Sequence, residues 1–304
     1  MARGVSFHLT DFDTLTVPIP VPYAAPMTKD HVDAPSVRHA LDGSLFGDVR
    51  VVGSTGSTNA DVLALARHGE PEGVVLVADH QTAGRGRLGR SWEAPAGASL
   101  LMSILCRPAG GVVTLANDEV HLVTMAVGVA AAEAVRGATG ADVRLKWPND
   151  LVVETPAGTR KLSGILSESI VEAGAISALV VGIGINVNWP IDVPEELADI
   201  AIAANHLAGH DVARRDVLVA LLRTFSSSYV ALATADGKAA LLARYRELSA
   251  TLGRRVRVEL AGETIIGDAV DLTGEGHLQV LDECPDRLRE ITAGDVIHLR
   301  PSES

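Results

Sequence analysis

The chain has 304 residues, 47% hydrophobic and 21% charged, enough for one large folded domain with a smaller companion. Aromatic residues make up only 3%, so the core is expected to be aliphatic and the three tryptophans stand out. A net charge of −12 opposes binding to nucleic-acid phosphates unless a basic patch is segregated, and the sequence shows no domain of that kind.

The N-terminus lacks the basic-then-apolar pattern of a signal peptide. Cys106 and Cys284 have neither a CxxC partner nor clustered histidines, which argues against structural zinc or a disulfide framework and fits a reducing cytoplasm. Residues 1–36 read as a proline-rich extension, because Pro18, Pro20, Pro22, Pro26 and Pro35 disfavour regular helix and central strand. From Val37 the pattern becomes globular. A strand at Val49–Val52 precedes a helix that opens at Ser57 or Thr58 and stops at Gly69. Strands follow at Val74–Ala78 and Ala98–Cys106, then a buried helix from Asn117 or Asp118 to Arg136. Its apolar stretch, Leu122–Val135, is too short to span a bilayer.

Strands are next expected at Val143–Trp147, Leu151–Val153, Lys161–Ile170 and Ile176–Ile185. A turn at Pro156 and Gly158 makes the second and third of them a hairpin. Helices near 198–208, 213–233 and 237–249 complete a domain over 37–250. From 251 to 304 five short alternating strands, separated by Gly- and Pro-containing turns, predict a small barrel. The fold class is therefore α/β, in the broad sense that includes α+β.

Five segments carry candidate chemistry. Gly84, Gly86 and Gly89 spell GxGxxG, but a dinucleotide-binding reading needs a helix to open there, and Pro95 and Gly97 forbid it. What remains is Arg85, Arg87 and Arg90 on glycine-spaced backbone, followed by Trp92. This is either a solvated basic loop or a mobile loop whose guanidinium forks close over phosphate or carboxylate, with Trp92 as core residue or nucleobase platform. Lys146-Trp147-Pro148-Asn149-Asp150 reads as a tight corner between strands with a solvated lysine, or as a site where Asp150 holds magnesium or orders Lys146. Lys161 opens an apolar strand. It is either an edge-strand lysine that blunts aggregation or a fixed cation for a developing acyl phosphate, beside Gly164 where a ligand can lie flat. Ser57-Thr58-Asn59 caps a helix or grips a small neutral polar group such as a urea. Gly182-Ile183-Gly184-Ile185-Asn186 ends a buried strand, where Asn186 either closes a turn or reads a nucleotide.

In combination and in this order the segments resemble the biotin–protein ligase family, in its form without an N-terminal DNA-binding repressor domain. The motifs that carry the likeness are Ser57-Thr58-Asn59, Gln81, the Gly84–Arg90 loop with Trp92, Lys146–Asp150, Lys161–Leu166 with Glu168, and Gly182-x-Gly184-Ile185-Asn186. The likeness runs from about residue 50 to 190 and more loosely into the C-terminal segment. Gly56 stands where an acidic residue often occurs. Only some fifty residues precede the first motif, and they lack helix–turn–helix patterning.

The resemblance implies a mixed-sheet catalytic domain followed by an SH3-like barrel, with biotin and MgATP as substrates. It implies a biotin carboxyl carrier domain as partner, no DNA or membrane, and a monomer or weak homodimer. Carried over by position, it implies biotin contacts from Ser57, Thr58, Asn59, Gln81, Arg85, Gly86, Arg87, Lys161 and Gly164. Trp92, Lys146, Asn149 and Asn186 face the nucleotide, Lys161, Arg85, Arg87 and Lys146 serve catalysis, and Asp150 serves the metal. A lipoate– or octanoate–protein ligase and a non-catalytic biotin-sensing regulator are the alternatives.

Overall fold

The computed structural model describes residues 31–190, 192–193, 195–260, 262–283 and 286–299. Most of the proline-rich segment, Cys284 and the last five residues lie outside them.

The first helix, α1 (Ala34–Ala40), starts earlier than the sequence pattern indicates. Pro35 sits in its first turn, where a missing N–H breaks no bond, and the Asp33 side chain accepts from the Ser36 N–H to cap it. Val32 and Val37 are fully buried, so the packed body begins at the end of the segment read as a tail.

Strands β1 (Asp48–Thr55), β2 (Val74–Gln81), β3 (Ser99–Cys106), β4 (Val143–Lys146), β5 (Asp150–Thr155), β6 (Gly158–Glu172) and β7 (Ala175–Asn186) form one sheet in the order β1-β2-β3-β7-β6-β5-β4. Only β1 and β2 run parallel. They are joined by α2 (Thr58–Arg67), whereas every other pair is antiparallel. The β5–β6 hairpin turns between Thr155 and Gly158, as expected. Helix α3 (His121–Thr139) covers one face, and Gly140 stops it in the left-handed conformation that favours glycine. It is long and apolar enough to cross a bilayer, yet most of it is buried inside the fold.

The helix expected near 198–208 is instead two short ones, α4 (Glu195–Ala198) and α5 (Ala204–Ala208). The backbone between them is drawn onto the sheet: the Lys161 N–H donates to the Ile200 carbonyl at 2.8 Å, and the Ile202 N–H to the Lys161 carbonyl at 2.9 Å. These bonds take the Ile200 carbonyl and the Ile202 N–H out of helical pairing and hold the segment against the strand that carries Lys161. Helices α6 (Arg214–Ala231) and α7 (Ala235–Leu248) then pack on α3.

The C-terminal strands β8 (Arg255–Leu260), β9 (Glu263–Leu272), β10 (Leu278–Glu283), β11 (Asp286–Ile291) and β12 (Asp295–His298) are all found. However, they make an open antiparallel sheet in the order β11-β10-β9-β8-β12, not a closed barrel. Closure would need β11 to bond β12, and no such pairing forms among the described residues. The sheet shares its core with the large domain: the buried aliphatics of β8–β10 belong to the same cluster as those of α3 and β4. Trp147, fully buried, ties the two parts together, its backbone N–H donating to Thr251 Oγ1 and its indole N–H to the Gly276 carbonyl.

Candidate active site

Gln81, at the end of β2, reaches the mouth of α2. The parallel β1–β2 register sets it opposite Thr55, and its Oε1 accepts the Thr58 N–H at 2.8 Å, satisfying a donor that the start of a helix leaves unpaired. Ser57, at the N-cap, makes no capping bond with its side chain. Asn59 is buried, and its amide is used within the protein: Nδ2 donates to the Leu166 carbonyl and to Glu168 Oε2, and Oδ1 meets the Ser103 hydroxyl. Gly182 has no side chain because Asn59 occupies the space a Cβ would need.

Residues 84–92 fold back on themselves. The Gly86 N–H donates to the Arg90 carbonyl and the Trp92 N–H to the Gly84 carbonyl, with a single tight turn at Arg87–Gly89. No helix opens at the glycines, in agreement with rejection of the dinucleotide-binding reading. The three guanidinium groups are each pinned. Arg85 donates to Glu168 Oε2 at 2.9 Å. Arg87 donates to Asn149 Oδ1 and to the Gly294 carbonyl, with Asp295 3.6 Å away. Arg90 donates to Asp295 Oδ2 at 2.8 Å. The loop of the large domain is thus held by the small domain.

Trp92 returns the chain over the sheet. Its indole lies on Gly164 of β6 and Gly184 of β7, which are register partners. A Cβ on Gly184 would come within 2.5 Å of the ring and one on Gly164 within 3.0 Å, so with the indole in this position Gly184 leaves no room for a side chain and Gly164 leaves little. The indole N–H is buried without a hydrogen-bond partner. Lys161 Nζ stands 5.8 Å from the ring centre.

Lys161 is also ion-paired with Asp150 Oδ1 at 2.7 Å. The hairpin explains the encounter, because β5 and β6 bring Asp150 opposite Gly164, beside the lysine. The carboxylate thus faces Lys161, where the sequence pointed to its β4 register partner Lys146, which is itself buried. Asn186 donates to the Ile202 carbonyl, while its Oδ1 is buried and unpartnered.

These groups enclose one cavity of about 210 Å³. Every residue given a role in binding or catalysis from the sequence lines it: Ser57, Thr58, Asn59, Gln81, Arg85, Gly86, Arg87, Trp92, Lys146, Asn149, Asp150, Lys161, Gly164 and Asn186. One end is neutral and rich in hydroxyl and amide groups. The other is cationic. Such a space suits a ligand with a small polar neutral head and an anionic tail. As for magnesium, no three His, Cys, Asp or Glu side chains among the described residues converge to hold an ion, and Asp150 already faces a lysine. The donor set fits an ion that arrives with a nucleotide rather than a resident one.

Sequence reasoning gave no role to Ser103, Glu168 or Asp295. Glu168 stands in a motif, but the contact that uses it spans 83 residues. Asp295 meets Arg90 across 205 residues, a distance at which no local spacing gives a signal.

Comparison with known proteins yields two family matches. Residues 53–186 match the biotin/lipoate A/B protein ligase family, and residues 251–299 the biotin protein ligase C terminal domain. The chain is 37% identical over 276 residues to the biotin–[acetyl-CoA-carboxylase] ligase of Mycobacterium tuberculosis, covering 88% of this chain and 96% of that protein. It is 32% identical to the bifunctional ligase/repressor BirA of Bacillus subtilis, covering 79% of this chain and 70% of that one. Among solved structures, the biotin protein ligase of Aquifex aeolicus in complex with biotin and ATP superposes with a TM-score of 0.65 at 28% identity, covering 84% of this chain and 99% of that one.

Proposed function

Because the chain belongs to the biotin protein ligase family, we propose that it joins biotin to AMP using ATP and then transfers the biotinyl group to a lysine of a biotin carboxyl carrier domain. The observation that carries this reading is the convergence of Arg85, Arg87 and Lys161, from separate stretches of sequence, on one cavity whose other end is lined by Ser57, Thr58 and Gln81.

The chemistry follows from the two ends. A carboxylate does not acylate an amine at neutral pH, because its oxygen is a poor leaving group. In the first step a carboxylate oxygen of biotin bonds to the α-phosphorus of MgATP, and the bond from that phosphorus to pyrophosphate breaks. Ser57, Thr58 and Gln81 hold the ureido ring, and the glycine-lined sheet lets the rest of the ligand lie flat once Trp92 moves aside. Lys161 exchanges Asp150 for the reacting carboxylate and α-phosphate, and Arg85 and Arg87 spread over the phosphate oxygens. Asn186, Asn149, Lys146 and Trp92 take the nucleotide side. The unpartnered Asn186 Oδ1 and Trp92 indole N–H supply an acceptor and a donor there.

In the second step the neutral lysine amine of the carrier bonds to the acyl carbon, the acyl–oxygen bond to AMP breaks, and the amine proton passes to solvent. No enzyme nucleophile is required. Closure of the 84–92 loop, fastened to the small domain through Asp295, keeps water from the anhydride until the carrier lysine enters.

Incubation with biotin, MgATP and a carrier domain, followed by streptavidin blotting, tests the reading. A biotinylated carrier is expected. Labelling by lipoate instead would assign the chain to the lipoate branch, and biotin binding without transfer would make it a regulator.

A further inference from the structure

Behind Thr58 a set of oxygen contacts has too few protons, and counting them reveals how the neutral end is oriented. The Asn59 amide can face only one way. Its Nδ2 is 3.1 Å from the Leu166 carbonyl and 2.8 Å from Glu168 Oε2, both acceptors, so Oδ1 must face Ser103. Glu168 Oε2 also accepts from Arg85, which keeps it an acceptor at both contacts. Two hydroxyl protons, of Ser103 and Thr58, serve three oxygen–oxygen contacts, and the two shortest take them: the 2.6 Å contact between Ser103 Oγ and Asn59 Oδ1, an oxygen that only accepts, uses the one Ser103 proton. The 2.7 Å contact between Ser103 and Thr58 Oγ1 must then be bridged by the Thr58 proton. Gln81 is fixed as well, because its Oε1 accepts the Thr58 backbone N–H. The remaining contact, Thr58 Oγ1 to Gln81 Oε1 at 3.0 Å, is left with no proton.

We infer that Ser103 and Glu168 are positioning residues that turn the donors of this chain toward Glu168 and leave Thr58 and Gln81 as a paired acceptor that selects a ligand ring by its N–H. The missing donor is supplied by the ligand. The arrangement is built from four elements: Asn59 on α2, fully buried Ser103 on β3, Glu168 on β6, and Gly182 of β7, the register partner of Ser103, whose missing Cβ admits the Asn59 amide. It rests on the reading above, in which the ring is a cyclic urea with N–H donors. It goes further by assigning specificity to residues behind the cavity wall. Without the Ser103 hydroxyl, the Thr58 proton is free to turn to Gln81, which fills the acceptor pair before any ligand arrives.

The test is steady-state pyrophosphate release by the full chain with a carrier domain in excess, which consumes the adenylate at each turnover. The substrates are biotin and its two cyclic-carbamate isomers, each with one ring N–H replaced by oxygen. Wild type is expected to prefer biotin over at least one isomer by about tenfold or more, since a lone pair would meet the acceptor pair. Ser103→Ala is expected to raise the KM for biotin about tenfold, change kcat less than about twofold, and narrow that preference. Ser103→Thr, which keeps the hydroxyl, restores both. Should Ser103→Ala not fold, Ser103→Cys carries the same test, because a thiol is a weak donor. A folded variant with unchanged biotin KM and unchanged preference, or one that loses kcat instead, overturns the inference and leaves the ligase reading intact. Wild type that releases no pyrophosphate with biotin overturns the ligase reading first.

Discussion

At one end of the cavity Thr58, Asn59 and Gln81 are neutral and bonded to one another through buried Ser103, with Glu168 shared between Asn59 and the other end. At the other end Arg85, Arg87, Arg90 and Lys161 each face a carboxylate of this same chain: Glu168, Asp295, Asp295 and Asp150. The neutral end is set by hydrogen-bond geometry, which costs much to rearrange when buried. The cationic end is set by partly exposed ion pairs, each of modest strength and each exchangeable for an incoming anion. The contrast assigns different tasks to the two ends. The first decides which ring is admitted, and the second follows charge as it moves through the reaction.

Substitutions at the two ends should therefore separate kcat from KM. The largest effect is expected from Lys161→Ala, which should lower pyrophosphate release by at least about a hundredfold with the fold intact. A wild-type rate in that variant would remove the lysine from its role. Thr58→Val should raise the KM for biotin by roughly tenfold and leave kcat nearly unchanged, through loss of one buried acceptor. A fall in kcat instead would erase the division between the ends. Asp295→Asn should act more weakly, about threefold in nucleotide KM with faster proteolysis at 84–92, because Arg87 keeps its bonds to Asn149 and Gly294. Protection of the loop equal to wild type would show that the small domain does not hold it.

The smallest effect concerns stability. His121 is pushed down to about 4, chiefly by burial and then by His277 and Arg87, and His298 is pushed down to about 3, chiefly by burial and then by Lys146 and Arg254. Both lie at the junction of the two domains, His121 packing against Trp147 and His277, and His298 bonding Thr251. Below the ordinary histidine range the unfolded chain binds protons that the folded chain refuses. The stability present above pH 6.5 is then lost as pH falls toward these depressed values, by up to about 1 kcal/mol per histidine between pH 6.5 and 5.5. Urea melts at those two pH values check this, and His121→Phe should flatten the dependence. An equal slope in wild type and variant would contradict it.

Much of the site was legible in the sequence because its residues recur in short runs. Arg85 and Arg87, Lys146 to Asp150, and Lys161 to Gly164 each sit within a few residues of a turn or strand end whose propensities are strong. The strands themselves were marked by β-branched runs and by the Pro156-Gly158 turn. What escaped depends on distant partners. Nothing near Asp295 announces Arg90, and Ser103 is a lone hydroxyl in the apolar strand Ser99–Cys106 whose meaning comes from Asn59 and Gly182. The segment 198–208 has helical character of its own, and it yields to backbone bonds with Lys161 that only the folded sheet provides. The C-terminal strands are alternating enough to be found one by one, but alternation does not tell an open sheet from a closed one.

One cavity brings a neutral ring-binding end and a cationic end to the same ligand. Rapid mixing with MgATP and biotin, without carrier, and detection of pyrophosphate probe whether the two ends act on one bound molecule. A burst of about one pyrophosphate per active site is expected, followed by slow turnover, because the anhydride stays enclosed. Absence of a burst with biotin, or the same burst with lipoate, would contradict it.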